Sequence, residues 1–361
     1  MSRMRVGVVF GGRSGEHEVS LLSAASVMAA LDRRQYDVIP IGIDKLGRWR
    51  RGTAAQSQDP AAVLRTGRPF VLPPVPVHLL PRRGEGLVNP QLDVILPILH
   101  GTFGEDGTVQ GLLELSGIPY VGAGVLGSAA SMDKDVMKRL FREAGLPVVP
   151  FMVVRRRAWE ATPATVLRHI TTALPFPLFV KPANLGSSVG ISKVSRRREL
   201  TPALIEAARY DEKLVIEQGV DAREFECSVL GNDEPQASVP GEVRPGKEFY
   251  SYAAKYLEPG SSTIVPAPMP PALARQVQRL ALRAFRAVDA CGLARVDFFY
   301  VPRTRQLFLN EINTMPGFTS ISMFPKMWEA SGLSYPKLLD RMIALALERA
   351  RSRARNHYGR D

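Results

Sequence analysis

The sequence predicts an α/β protein that begins on a parallel sheet and turns to α+β further along. Three observations carry that prediction. Residues 5–10 form an unbroken apolar strand that passes through Gly11-Gly12-Arg13-Ser14-Gly15 into a helix with Ala24, Val27, Met28 and Leu31 on one stripe, the opening of a βαβ unit. After Pro147 the order becomes strand, helix, strand, with apolar runs at 148–154 and 178–182. Near the end, residues 293–300 and 307–313 are two apolar strands, each broken by an alternating polar row.

The chain has 361 residues, 45% hydrophobic and 23% charged, enough for two or three domains with sizeable cores. Its longest apolar runs, such as 6–10 and 94–99, are too short to cross a bilayer, and no signal-peptide apolar region precedes Gly11, so a cytoplasmic protein is expected. Cys227 and Cys291 have no metal-ligand spacing and read as reduced core residues. The formal charge of +12 sits largely in arginine clusters at 155–157, 196–198 and 349–360. These lack interleaved aromatics, so they read as solvated faces and a frayed terminus rather than a nucleic-acid surface. A positive field equally suits a substrate with several negative charges.

In chain order, the second strand, 36–43, ends at Asp44, as a ribose-binding acid would in a dinucleotide fold. The Gly-x-Gly-x-x-Gly fingerprint fails, because its first position falls on Phe10, and a nicotinamide oxidoreductase loses its support. Glu18 lies in the first turn of the next helix, either as a partner of the helix dipole or facing the strand ends to hold a substrate ammonium. Residues 51–88, rich in proline and arginine and without a clear period, read as loops or an irregular insertion. The strand 93–99 delivers His100 at its carboxyl end, where ligands gather. A helix at 109–115 and a short strand at 118–121 follow, then the glycines of 122–127 mark a hinge into a helix carrying Lys134 and Lys138.

The strand 178–182 contains Lys181 and opens onto residues 183–190, a glycine and serine loop that is either a hairpin turn or a cradle for phosphates. Glu217 ends one strand, and Glu224 and Glu226 lie on the polar side of the next. They suit a ribose or amino group, or simply the wet face of a sheet. Residues 242–262, with Tyr250, Tyr252, Lys255 and Tyr256, read as a lid. If the two late strands pair through a turn at 302–305, Arg295, Asp297, Glu311 and Asn313 converge on one surface, with Leu309 next along that row. Those oxygen ligands suit Mg²⁺ and the arginine a phosphoryl group or oxyanion, although ordinary salt bridges on a polar face fit them too.

Glu18-Val-Ser-Leu, His100-Gly, Gly104-Glu-Asp-Gly-Thr, Lys181-Pro with Gly186-Ser-Ser-Val-Gly, Ala254-Lys-Tyr256, Arg295-Val-Asp297 and Asn310-Glu-Ile-Asn-Thr-Met-Pro-Gly317 occur in order over about 4–347. Together they resemble the D-alanine:D-alanine ligases of the ATP-grasp superfamily. The resemblance implies an N-terminal Rossmann-like domain (1–123), a central ATP-grasp domain (124–220) and a C-terminal one (221–361) bearing the lid and a basic tail. It implies ATP and two Mg²⁺ or Mn²⁺ ions, D-alanine as substrate, no nucleic acid or membrane partner, a homodimer and a role in peptidoglycan precursor synthesis.

By the same resemblance Lys138, Lys181, Gly186, Ser187, Ser188, Glu217, Glu224, Lys255, Asn310 and Glu311 contact ATP, and Asp297, Glu311 and Asn313 hold the metals. Glu18 takes the ammonium of the first D-alanine beside His100, while Arg295 and the Gly317 amide stabilise the oxyanion. Ser322, Lys255 and the Met323 backbone receive the second carboxylate. Tyr256 and Ser187 link with Glu18 to join lid and site, and Tyr256 points to dipeptide formation rather than to D-alanyl-D-lactate; the alternative is an ATP-grasp ligase joining D-alanine to D-lactate or D-serine, or another carboxylate–amine pair.

Overall fold

The computed structural model describes residues 3–73, 92–244, 262–319, 321–357 and 359. The N-terminal sheet contains β1 (Met4–Gly11), β2 (Tyr36–Ile43), β3 (Trp49–Arg51), β4 (Arg68–Pro69) and β5 (Val94–Ile98), in the order β4-β3-β2-β1-β5. β1 runs parallel to both β2 and β5, and the short β3 and β4 extend the sheet antiparallel. β1 beyond Arg5, and β5, are apolar because both faces are covered. Val6, Val8 and Phe10 pack with the helices His17–Ala30 and Tyr335–Arg353, while Val9, Ile95 and Leu99 meet Leu113 and Tyr120 on the other side.

Two expectations fail here. Residues 51–73 are not simply loops: they hold a 3₁₀ turn (Ala54–Gln58), a helix (Pro60–Thr66) and β4. Asp59 accepts from the Ala62 N–H at 3.0 Å and Pro60 occupies the first turn, a start signal submerged in a proline-rich stretch. The basic tail is helical to Arg353, and part of it docks rather than frays. Arg349 lies 4.4 Å over the Tyr120 ring and donates to the Tyr120 carbonyl at 2.9 Å, and Arg353 pairs with Glu114.

β6 (Phe151–Arg155), β7 (Leu178–Pro182), β8 (Ser192–Val194) and β9 (Lys213–Gln218) form an antiparallel sheet, order β6-β9-β7-β8, backed by the helices Pro163–Ala173 and Leu200–Ala208. A second antiparallel sheet contains β10 (Arg223–Gly231), β11 (Gln236–Ala237), β12 (Gly241–Arg244), β13 (Ser262–Ile264), β14 (Gly292–Val301) and β15 (Gln306–Asn313). Its order is β13-β12-β10-β14-β15 with β11 beside β10. Phe225, Cys227, Val229, Val296 and Phe298 face the helix Pro271–Ala287. Ala130, Met137 and Phe141, from helices that precede Pro147, join this second core rather than that of the four-stranded sheet.

The β14–β15 pairing slips between Asp297 and Phe298: Asp297 faces Glu311, but Phe298 faces Leu309, leaving Asn310 as an extra residue. This bulge returns Leu309 to the core with Ile312, so Leu309 does not continue the Glu311 and Asn313 row as alternation predicts. The bulge exposes Asn310 and Glu311 side by side to the cleft.

Candidate active site

Antiparallel pairing turns the polar alternation of three strands into two rows on one face. Glu226, Asp297 and Glu311 lie opposite one another across β10, β14 and β15, and Ser228, Arg295 and Asn313 form the next row. Arg295 grips Asp297 with two bonds, Nε to Oδ1 at 2.7 Å and Nη2 to Oδ2 at 2.6 Å, and its Nε lies 3.2 Å from Glu226 Oε2. Burial opposes the charge on Arg295, and the flanking Asp297 and Glu226 carboxylates outweigh that, raising its pKa further. Asn313 donates to Asp297 at 3.2 Å.

This face closes a cleft of about 480 Å³ against the four-stranded sheet. Phe179, Lys181 and Lys193, the Gly186–Ser188 turn and Phe299 contribute to its walls. At its floor Glu217 accepts from Lys181 at 2.6 Å and lies 3.1 Å from Lys138. Burial alone raises the Glu217 carboxyl, but the two ammonium groups prevail and hold it down at about 2. Burial pushes the Lys138 ammonium down, and its Nζ also donates to the Asn310 carbonyl at 3.0 Å. Lys138 is therefore sealed beneath the cleft, its Nζ committed to Glu217 and Asn310. Lys134, one helical turn earlier, lines the cleft and the adjoining chamber, 4.0 Å from Glu311 and bonded to the Leu185 carbonyl at 2.7 Å. Lys134 is itself only 7% exposed, but it lines the cleft, whereas Lys138 does not.

The adjoining chamber is lined by Glu16, His100, Glu105, Ser187, Arg295 and Gly317, among others. The expectation for Glu18 is corrected here. Glu18 points to solvent, about 60% exposed, and pairs with Lys45. Glu16, two residues earlier and so rotated by about 200° around the helix start, faces the chamber and accepts from the Ser187 hydroxyl. Gly101 and Gly186 make room for it: a Cβ would lie 2.5 Å from Glu16 Oε2 at the first and 2.8 Å at the second. Ser187 and Ser188 hold left-handed φ values of 51° and 58°, so the loop 183–190 carries non-glycine strain at the position that latches onto Glu16.

His100 is buried, bonded to the Met315 carbonyl at 2.9 Å and Ser23 Oγ at 3.2 Å, and burial keeps its pKa low. Glu105, which the sequence reading passed over inside Gly104-Glu-Asp-Gly, accepts from the Gly101 N–H at 2.7 Å and the Met315 N–H at 3.1 Å. Burial first and neighbouring Glu16 second push its carboxyl up to about 8. Its position after the histidine loop was the available signal. Ser322 Oγ accepts from the Thr319 N–H at 3.0 Å and lies under Gly317. The Met323 side chain is buried with Val243 and Met327, leaving only its backbone N–H, in the first turn of Met323–Ala330, for a ligand. Lys255 and Tyr256, and 245–261 of the expected lid, lie outside the described residues.

Two carboxylates at facing register positions, Asp297 and Glu311, with the Asn313 side-chain amide in the next row, are the kind of donors that a hard divalent cation accepts. Among the described residues no group of three His, Cys, Asp or Glu could by itself hold a metal ion.

Paired antiparallel sheets closing on a lysine-lined, carboxylate-edged cleft, with a Rossmann-like sheet in front, define the ATP-grasp class of fold. The sequence family described as D-ala D-ala ligase N-terminus matches residues 5–123, and that described as D-ala D-ala ligase C-terminus matches 140–344. The chain belongs to the D-alanine–D-alanine ligase family. It is 49% identical over 358 residues to the D-alanine–D-alanine ligase of Natranaerobius thermophilus, covering 99% of this chain and 98% of that one. It is 48% identical over 363 residues to that of Heliobacterium modesticaldum, covering 99% and 98%. The D-alanine-D-alanine ligase structure from Coxiella burnetii superposes with a TM-score of 0.85 at 38% identity, covering 98% of this chain and 97% of that one. The VanG D-Ala:D-Ser ligase of Enterococcus faecalis also gives 0.85, at 34% identity and 96% and 100% coverage.

Proposed function

We propose that this site joins two D-alanines at the expense of ATP, and the observation that supports its residue roles is the Glu16–Ser187 latch beside the Glu226–Asp297–Glu311 and Arg295–Asn313 rows. The chain is an ATP-dependent D-alanine–D-alanine ligase serving cell-wall synthesis, and its full-length relatives are named D-alanine–D-alanine ligases. ATP lies in the cleft between the sheets, its phosphates near Lys134, Lys181 and the loop 183–190, with Glu224 and Phe179 further out. The first D-alanine occupies the smaller chamber, its ammonium on Glu16.

A carboxylate is a poor acyl donor. Its oxygen attacks the γ-phosphorus, ADP leaves, and an acyl phosphate forms. The free amine of the second D-alanine, its carboxylate at Ser322 and the Met323 N–H, attacks that carbonyl. Arg295 and the Gly317 N–H stabilise the tetrahedral oxyanion, inorganic phosphate departs, and the amine loses its proton to give the dipeptide. The latch of Ser187 onto Glu16 keeps water from the acyl phosphate. Asp297, Glu311 and Asn313 fit two Mg²⁺ or Mn²⁺ ions, which supply charge neutralisation for the transferring phosphoryl group.

We further infer three domains, 1–123, 124–220 and 221–361, and a homodimer in the cytoplasm. Among the described residues no helix is long and apolar enough to cross a membrane. Because VanG, a D-Ala:D-Ser ligase, has this fold, D-serine as the second substrate is the competing reading. Phosphate release from ATP with Mg²⁺ and D-alanine, with and without D-serine or D-lactate, followed by product mass, decides. Alanyl-alanine as the product in the presence of either competitor supports the proposal, and mixed products favour the alternative.

A further inference from the structure

Next to the root of the 183–190 loop lies a charged cluster centred on Lys213 at the start of β9, a residue given no role above. Lys213 is only 7% exposed, and its Nζ lies 2.5 Å from Asp133 Oδ2 and 3.2 Å from Asp135 Oδ2. Asp135 is fully buried and also takes Arg139 at 2.6 Å. The cluster reaches the root of the glycine loop by several routes. Asn184 donates through Nδ2 to Asp133 and to Asp211, both at 3.3 Å, and through its backbone N–H to Asp211 at 2.8 Å. The Lys213 N–H donates to Asp211 at 3.0 Å, and the Lys213 carbonyl accepts from the Ala183 N–H at 2.9 Å.

The same cluster reaches Lys134. Asp133 caps the helix Lys134–Glu143 by accepting from the Asp135 and Val136 N–H groups, and the Lys134 N–H donates to the Ala183 carbonyl at 3.0 Å. Lys134 and the loop root are therefore bonded to each other and both anchored on Asp133. A buried ammonium between one buried and one largely covered carboxylate disfavours rearrangement, since moving the buried Asp135 away leaves an uncompensated charge in a low-dielectric setting.

We propose that Lys213 is a positioning residue for ATP: it fixes the root of the 183–190 loop against the first turn of the Lys134 helix, so that the triphosphate meets Lys134 and the loop amides at a preset spacing. This rests on the reading of that loop as the phosphate cover. Loop movement is then confined to 186–190, beyond the anchored Ala183 and Asn184 and the Leu185 carbonyl held by Lys134, where Ser187 and Ser188 carry the strained φ values.

The test compares the wild type with Lys213→Met, Lys213→Arg and Asn184→Ala, measuring kcat and separate KM values for ATP and D-alanine by phosphate release, with thermal melting to confirm folding. Asn184→Ala removes the side-chain bridge without unpairing a charge, so it decides the matter if Lys213→Met fails to fold. A KM for ATP raised about tenfold in Asn184→Ala and Lys213→Met, an unchanged KM for D-alanine and partial recovery in Lys213→Arg are expected. A KM for ATP unchanged in the folded variants, or rising in step with that for D-alanine, overturns the proposal. A wild type without ATP-dependent D-alanine turnover overturns the underlying reading, and this inference with it, before any variant is compared.

Discussion

Glu16 and Glu18 sit two residues apart at one helix start, yet only one faces the chamber, so their alanine variants separate the local pattern from the tertiary arrangement. Glu16→Ala removes the acceptor of the Ser187 hydroxyl and the carboxylate beside Gly101 and Gly186. Hydrogen bonds to a charged group contribute about 1.5–3 kcal/mol each, and the latch and substrate-ammonium contacts share one carboxylate, so ~2–4 kcal/mol is the combined loss. At about 1.36 kcal/mol per tenfold, kcat/KM for the first D-alanine falls by roughly 30- to 900-fold. Glu18 is about 60% exposed and its Lys45 partner 66%. Solvent screening leaves such a pair below ~0.5 kcal/mol, about a twofold effect. The assay is phosphate release at saturating ATP with D-alanine varied. A loss in Glu18→Ala equal to or greater than that in Glu16→Ala refutes the assignment.

The two helix lysines should part in the same way. Lys134→Met raises the KM for ATP by about tenfold or more while melting near the wild type, whereas Lys138→Met costs ~3–5 kcal/mol of stability because it strips a partner from buried Glu217, as denaturant midpoints will show. Chelating divalent ions should stop phosphate release without lowering the melting temperature much, since among the described residues no metal cage holds the fold, and Mg²⁺ or Mn²⁺ should restore it. Glu217 has a folded pKa of about 2, below its unfolded value, so its stabilising contribution is present above about pH 4.5 and is lost as pH falls toward 2. Glu217→Gln should flatten the stability profile across that window, and an unchanged slope argues against the buried triad.

The sequence determined the elements whose reasons are local. Period-two alternation in 293–300 and 307–313 placed Arg295, Asp297, Glu311 and Asn313 on one face, and the pairing of Asp297 with Glu311 bears that out. The apolar strand entering the glycine turn at 11–15 likewise announced the parallel start. Ordered motifs along nearly the whole chain indicated the family. What local pattern could not settle was rotation about an axis and choice among equivalent neighbours. A bulge at Asn310 withdrew Leu309 from the polar row, a turn of the helix start exchanged Glu18 for Glu16, and packing against Glu217 buried Lys138 and left Lys134 at the cleft. Glu105 and Lys213 acquire roles only through residues about 210 and 80 positions away, Met315 and the Asp133–Asp135 pair. Spacing fixes which side chains share a face; the burial free energy of the assembled sheets decides which of those faces meet.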